Sequence, residues 1–170
     1  MYQTVRGAKM GKARTEASYS DLHDRIATKL KEAQERLKEM AYESRQISPR
    51  EFYDFMTGET PTGDTINILN VLDNEYLMIH EVVEISELKR MGILIDKQTV
   101  MRIFPEVYEP HYTATEFELD YALDKNDHNW LKIRIEHAKS WLEDDNMPQH
   151  LVERYKAMIK RFSEVLESSS

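Results

Sequence analysis

Four polar side chains share one narrow stripe of a helix that we predict over residues 64–91. The stripe consists of Asp73, His80, Glu84 and Glu87. Successive members are separated by 7, 4 and 3 residues, and at about 100° per residue these spacings bring them onto one face. A histidine and carboxylates in such a row can share a divalent cation, or one carboxylate can act as a base. We therefore predict metal ligands at His80, Glu84 and Glu87, with a solvated helix edge as the alternative.

A second polar group interrupts an otherwise apolar helix face later in the chain. Arg134 lies in the middle of a face made by two tryptophans, two leucines and an alanine, and His137 lies at its edge. A guanidinium in such surroundings keeps its charge and needs a partner. Glu118, on the inward side of the preceding helix, is the candidate partner. Two interpretations remain open: a buried ion pair that fixes the helix register, or an Arg134 that holds an anionic ligand beside a bound cation.

His111 is a further candidate for this site. It is flanked by Pro110 and Tyr112, in residues 105–112, where two prolines predict irregular structure. An ordered loop can direct a histidine toward the interior. A histidine on a surface loop is the alternative.

Several familiar catalytic motifs are excluded. His80, Glu81 and Glu84 read His-Glu-x-x-Glu, which differs from the zinc-protease motif His-Glu-x-x-His in its last residue. No downstream ligand pattern accompanies it, so a zinc protease is not predicted. The chain contains no cysteine, which excludes disulfides, thiolate metal ligands and cysteine nucleophiles. No nucleophilic triad or dinucleotide-binding fingerprint is present.

A long amphipathic helix is predicted near the N-terminus, within residues 16–46. Apolar residues recur at gaps of three and four over residues 19–40, as one face of a helix requires. Ser18 and Asp21 have the spacing of a capping box at its start. The apolar seam can pair with a second copy of the helix or pack on the rest of the protein.

The remaining residues, 47–167, are predicted to form a helical core in one domain with the N-terminal helix. Glycines and prolines in this part stand at proposed helix ends or connections, which supports an all-α bundle of about six helices. Ser48, Pro49 and Glu51 resemble a capped helix start. The predicted helices cover about 48–57, 64–91, 96–104, 113–124, 127–143 and 148–167.

Composition and charge limit the location and the partners of the protein. Of its 170 residues, 41% are hydrophobic, enough for one real core. The net charge is −8 although residues 1–15 contain only basic charges, so nonspecific binding of the body to nucleic acid is not expected. We expect the basic leader to be disordered. The sequence contains neither a signal peptide nor an apolar run of membrane-spanning length, and we expect a cytoplasmic protein.

Two functions follow from these patterns. The first expectation is a helical assembly or interaction module that forms a homo-oligomer, or binds a helical protein, through residues 19–40. The alternative is a hydrolase that uses a divalent metal ion at His80, Glu84 and Glu87, with Arg134 on the anion of a phosphorylated small molecule. A divalent metal ion is the only cofactor that the residues suggest. Binding of nucleic acid through the leader is a third, weaker expectation.

Overall fold

The described residues form a bundle of helices without strands. A computed structural model describes residues 17–61, 63 and 66–169, and the predicted basic leader, residues 1–15, lies outside them. The helices are α1 (Tyr19–Glu39), α2 (Pro49–Met56), α3 (Ile68–Leu72), α4 (Glu75–Arg90), α5 (Thr99–Ile103), α6 (Tyr108–Asp124), α7 (His128–Trp141) and α8 (Gln149–Ser168). Six of them have eight residues or more, so the predicted all-α bundle is confirmed.

Helix α1 packs its apolar seam against the rest of the chain. The predicted capping box is present: the Ser18 hydroxyl accepts from the amide of Asp21, whose side chain caps Ser18 in return. The helix ends at Glu39 and contacts α2, α3 and α4. The buried seam residues are Leu22, Ile26, Leu30, Ala33 and Leu37. Binding of a partner through residues 19–40 therefore stays a prediction, and such a partner would have to contact another face of α1.

The predicted helix over residues 64–91 is wrong at its N-terminal end. Two helices, α3 and α4, take its place, with a break at Asp73 and Asn74. The Asn67 side chain accepts from the amide of Leu69, and the Asn74 side chain accepts from the amide of Leu77. Each asparagine satisfies an amide that has no partner inside its helix, which makes a new helix start favourable at both points.

The prediction of irregular structure over residues 105–112 is correct for 105–107 and wrong from Tyr108 onward. Helix α6 begins at Tyr108 and contains Pro110 in its first turn. Proline is tolerated there because the first amides of a helix have no acceptor within it. As a result His111 lies on α6, two turns before Glu118, and the two side chains share one face.

Helix α4 lies at the centre of the bundle. Its most extensive packing is against α6, and it also contacts α1 and α3, while α7 and α8 pack on α6 and on each other. The buried residues of α4 lie on most of its circumference, as the distribution of its apolar residues predicts. Apolar side chains from every helix join one connected core. Within the described residues, no helix is both long and apolar enough to cross a bilayer.

Candidate metal centre

Three donor atoms from α4 and α6 form a nearly equilateral triangle inside the bundle. The Nε2 atom of His80 lies 3.1 Å from Oε2 of Glu84 and 3.1 Å from Nδ1 of His111. The third side, from His111 Nδ1 to Glu84 Oε2, is also 3.1 Å. All three side chains are buried, with at most 2% of each residue exposed. The described residues contain no other group of three such donors in this proximity.

The hydrogen atoms available cannot satisfy all three contacts. His80 Nε2 and His111 Nδ1 supply at most one hydrogen each, and the ionised Glu84 supplies none. At most two hydrogen atoms are therefore available for the three contacts between these atoms, so at least one contact lacks a hydrogen bond. With neutral imidazoles and an ionised carboxylate, a cation between the three atoms binds a lone pair from each.

The size of the triangle suits a first-row transition metal. An ion about 2.1 Å from each of three atoms subtends ligand–metal–ligand angles of about 95° when the atoms are 3.1 Å apart. That angle lies between the octahedral and tetrahedral values. Two imidazoles and one carboxylate are a donor set found in zinc enzymes and in iron(II) oxygenases.

Glu118 fixes the orientation of the His80 ring from the side opposite the triangle. The His80 Nδ1–H donates to Oε2 of Glu118 over 2.8 Å, which leaves Nε2 turned toward the other donors. Trp130 Nε1 donates to Oε1 of the same carboxylate, also over 2.8 Å. A carboxylate that accepts from the outer nitrogen of a metal-binding histidine fixes its tautomer and raises its basicity.

Arg134 in turn holds Glu118. Its Nη2 donates to Oε2 of Glu118 over 2.8 Å, and its Nε lies 2.5 Å from Oε1. The guanidinium lies between the rings of Trp130 and Trp141, 5.9 and 5.4 Å from their centroids. Its Nη1 is 3.3 Å from Nδ1 of His137, so His137 lies behind Arg134, away from the donor triangle.

The electrostatics of the metal-free cluster favour a charged His80 between two carboxylates. Burial opposes this charge, but hydrogen bonds to Glu118 and Glu84 raise the pKa of His80 to about 9. Burial also opposes ionisation of Glu84, yet hydrogen bonds with His111 and His80 lower its pKa to about 2. For Glu118, the charge of Arg134 and the bond from His80 overcome burial and lower its pKa to about 2.

Two further groups stay neutral near pH 7. Burial lowers the pKa of His111 to about 4, against the effect of its bond with Glu84. Burial and the negative charge of Glu84 raise the pKa of Glu81 to about 8. The charged groups are then His80 and Arg134 against Glu84 and Glu118, so the metal-free cluster is electrically neutral. A neutral cluster is what a dry interior tolerates.

The two ends of the predicted polar stripe do not join this cluster. Glu87 accepts a hydrogen bond from the Tyr42 hydroxyl over 2.7 Å and pairs with Arg90 over 2.6 Å. Asp73 forms an exposed ion pair with Arg25. The stripe therefore begins and ends near the surface, and Glu87 is replaced in the donor set by a histidine from another helix.

Three residues of the site were not assigned to it from the sequence. Glu81 is almost fully buried, and its Oε2 has no hydrogen-bond partner. Tyr155 on α8 also buries a hydroxyl without a partner, and burial followed by the charge of Glu84 raises its pKa. Trp130, predicted only as part of an apolar face, binds Glu118. The His-Glu-x-x-Glu spacing was the available signal for Glu81.

Comparison of the chain with protein-family models, with curated proteins and with solved structures finds no match. The fold and the site define a class of their own: a helical bundle with two histidines and a carboxylate grouped at its centre.

Proposed function

We propose that this protein binds one divalent transition-metal ion between α4 and α6, through His80, Glu84 and His111. The observation that carries the proposal is the triangle of donor atoms with sides of 3.1 Å. The bond from His80 to Glu118 supports it, because it engages the outer nitrogen of His80 and directs the inner nitrogen toward the other two donors. Zn²⁺, Fe²⁺ and Mn²⁺ fit this donor set better than Mg²⁺ or Ca²⁺, which prefer oxygen ligands.

Three protein ligands on one side of an ion are typical of sites that act on a further ligand. Closed structural zinc sites use four protein ligands, whereas catalytic sites use three and leave a position open. We therefore propose a metal-dependent enzyme in preference to a metal-stabilised scaffold. Arg134 positions Glu118 in this proposal and does not bind a substrate anion, because its Nε and Nη2 both face that carboxylate.

The proposal is tested by metal titration of protein that has been freed of metal with a chelator. Isothermal titration calorimetry should show one Zn²⁺ bound per chain and much weaker binding of Mg²⁺. The variant Glu84→Gln should lose more than about 100-fold in Zn²⁺ affinity. Mutation of residues that only hydrogen-bond the metal ligands already lowers metal affinity by about 10 to 100-fold. Saturation with Zn²⁺ at about 100 times the dissociation constant should stabilise the wild type by about 2.7 kcal/mol.

The matched control is Glu87→Gln, which makes the same chemical change one turn further along α4, outside the triangle. It should bind Zn²⁺ like the wild type. Circular dichroism checks that both variants keep their helices. A folded wild type that binds no transition metal, or equal affinities for the two variants, would show that the cluster is a network of histidines and carboxylates without an ion.

A further inference from the structure

The three ligands leave one side of the ion uncovered. For an ion about 2.1 Å from three donors 3.1 Å apart, the centre lies about 1.1 Å out of the plane of the donors. All three protein ligands are then on one side of the ion. A further ligand must approach from the other side.

Glu81 lies beside the ligands with an oxygen that has no partner. It follows His80 and precedes Glu84 by three residues, and side chains three apart are neighbours on a helix surface. Only 1% of the residue is exposed, and its Oε2 makes no hydrogen bond. The charges acting on it are those of the cluster: Glu84, His80, Glu118 and Arg134. A buried polar oxygen without a partner is costly and indicates a missing hydrogen-bond partner. A cation bound beside Glu81 would favour the ionised carboxylate, which can only accept a hydrogen bond.

Glu81 is not placed as a fourth direct ligand. Among the described residues, the donor atoms within 4.8 Å of one another belong to His80, Glu84 and His111, and no oxygen of Glu81 joins them. A water bound about 2.1 Å from the ion can also donate a hydrogen bond to a carboxylate oxygen about 2.7 Å away. Such a water connects the ion to a carboxylate that does not bind the ion directly. Glu81, buried beside the ligands with an unpartnered oxygen, is therefore the candidate acceptor for a metal-bound water.

We propose that the ion keeps a water molecule as a further ligand, and that the Glu81 carboxyl group accepts a hydrogen bond from it. This inference rests on the proposed metal site and extends it to the ligand on the open side. The ligand class is water, hydroxide or another small molecule that donates a hydrogen bond. Larger ligands are disfavoured because at most 2% of each metal-binding residue is exposed.

The inference is tested with Mn²⁺ as the probe, since water bound to this ion accelerates the relaxation of solvent protons. Wild-type protein loaded with Mn²⁺ should enhance the relaxation, and X-ray absorption should show at least four nitrogen or oxygen donors. Glu81→Met removes the acceptor at similar volume. It should lower the enhancement and reduce the Mn²⁺ affinity by about 10 to 100-fold, while Glu81→Gln, which keeps an acceptor oxygen, should recover most of both.

Glu87→Met is the control, because it removes a carboxylate from the same helix outside the cluster, and it should leave both readouts unchanged. Tight Mn²⁺ binding with only three nitrogen or oxygen donors in X-ray absorption, or a Glu81→Met variant equal to the wild type, would overturn the inference but leave the metal site intact. Failure of the wild type to bind Mn²⁺ or Zn²⁺ at all would instead contradict the proposed function.

Discussion

Removal of the Arg134 guanidinium should strongly destabilise the protein. In Arg134→Met the Glu118 carboxylate stays buried but loses two contacts, the bond from Nη2 at 2.8 Å and the ion-pair contact with Nε at 2.5 Å. Only His80 and Trp130 then bind it. Breaking a buried pair by removing one partner costs about 3–5 kcal/mol, and we expect a loss of that size in the free energy of unfolding.

Urea unfolding of metal-free protein measures this loss. The control is Arg161→Met, which breaks the exposed ion pair with Asp120 and should cost only about 0–1 kcal/mol. The double variant Arg134→Met with Glu118→Gln should recover part of the loss, because the uncompensated charge is gone. Equal costs for the two arginine variants would refute the assignment of Arg134 to a buried pair that holds Glu118.

Three further predictions concern pH and local structure. In metal-free protein, the stability contributed by charged His80 is complete below its ordinary pKa of 6.5 and is lost as pH rises through about 9. The pKa of Glu81 is raised to about 8, so the stability that its neutral form contributes is also lost as pH rises. Urea unfolding at pH 6.5 and pH 9 should therefore show lower stability at pH 9, whereas an unchanged or higher stability would contradict the charge assignment. Gly58→Ala should cost about 1–3 kcal/mol in thermal unfolding, because its new Cβ would lie 2.5 Å from the carbonyl oxygen of Lys97. Ser48→Ala removes the capping box of α2 and should cost about 1 kcal/mol; no change in the melting temperature would show that this cap does not stabilise the fold.

Helical phase was sufficient to predict the centre of the cluster. The four-residue spacing of His80 and Glu84 put both on one face of α4, and an arginine on an apolar face required a buried acid, which is Glu118. These inferences depend only on regular helices. The same reasoning included Glu87, because phase gives the direction of a side chain and does not tell where along a helix the stripe leaves the core.

The contribution of α6 could not be predicted in the same way. Pro110 suggested a break, whereas the structure uses it in the first turn, where its missing amide is harmless. That difference moves His111 from a predicted loop to the face that carries Glu118. Glu81 was missed for another reason: α4 is buried on most of its circumference, so no single face marks the inward side. Its unpartnered oxygen becomes visible only with the neighbouring helices in place.

Anomalous X-ray diffraction from crystals grown with Zn²⁺ tests the central claim most directly. We expect one strong peak at the zinc absorption edge, about 2 Å from His80 Nε2, Glu84 Oε2 and His111 Nδ1. Crystals saturated with Zn²⁺ in which these three side chains bind only one another, without a peak between them, would contradict the metal site.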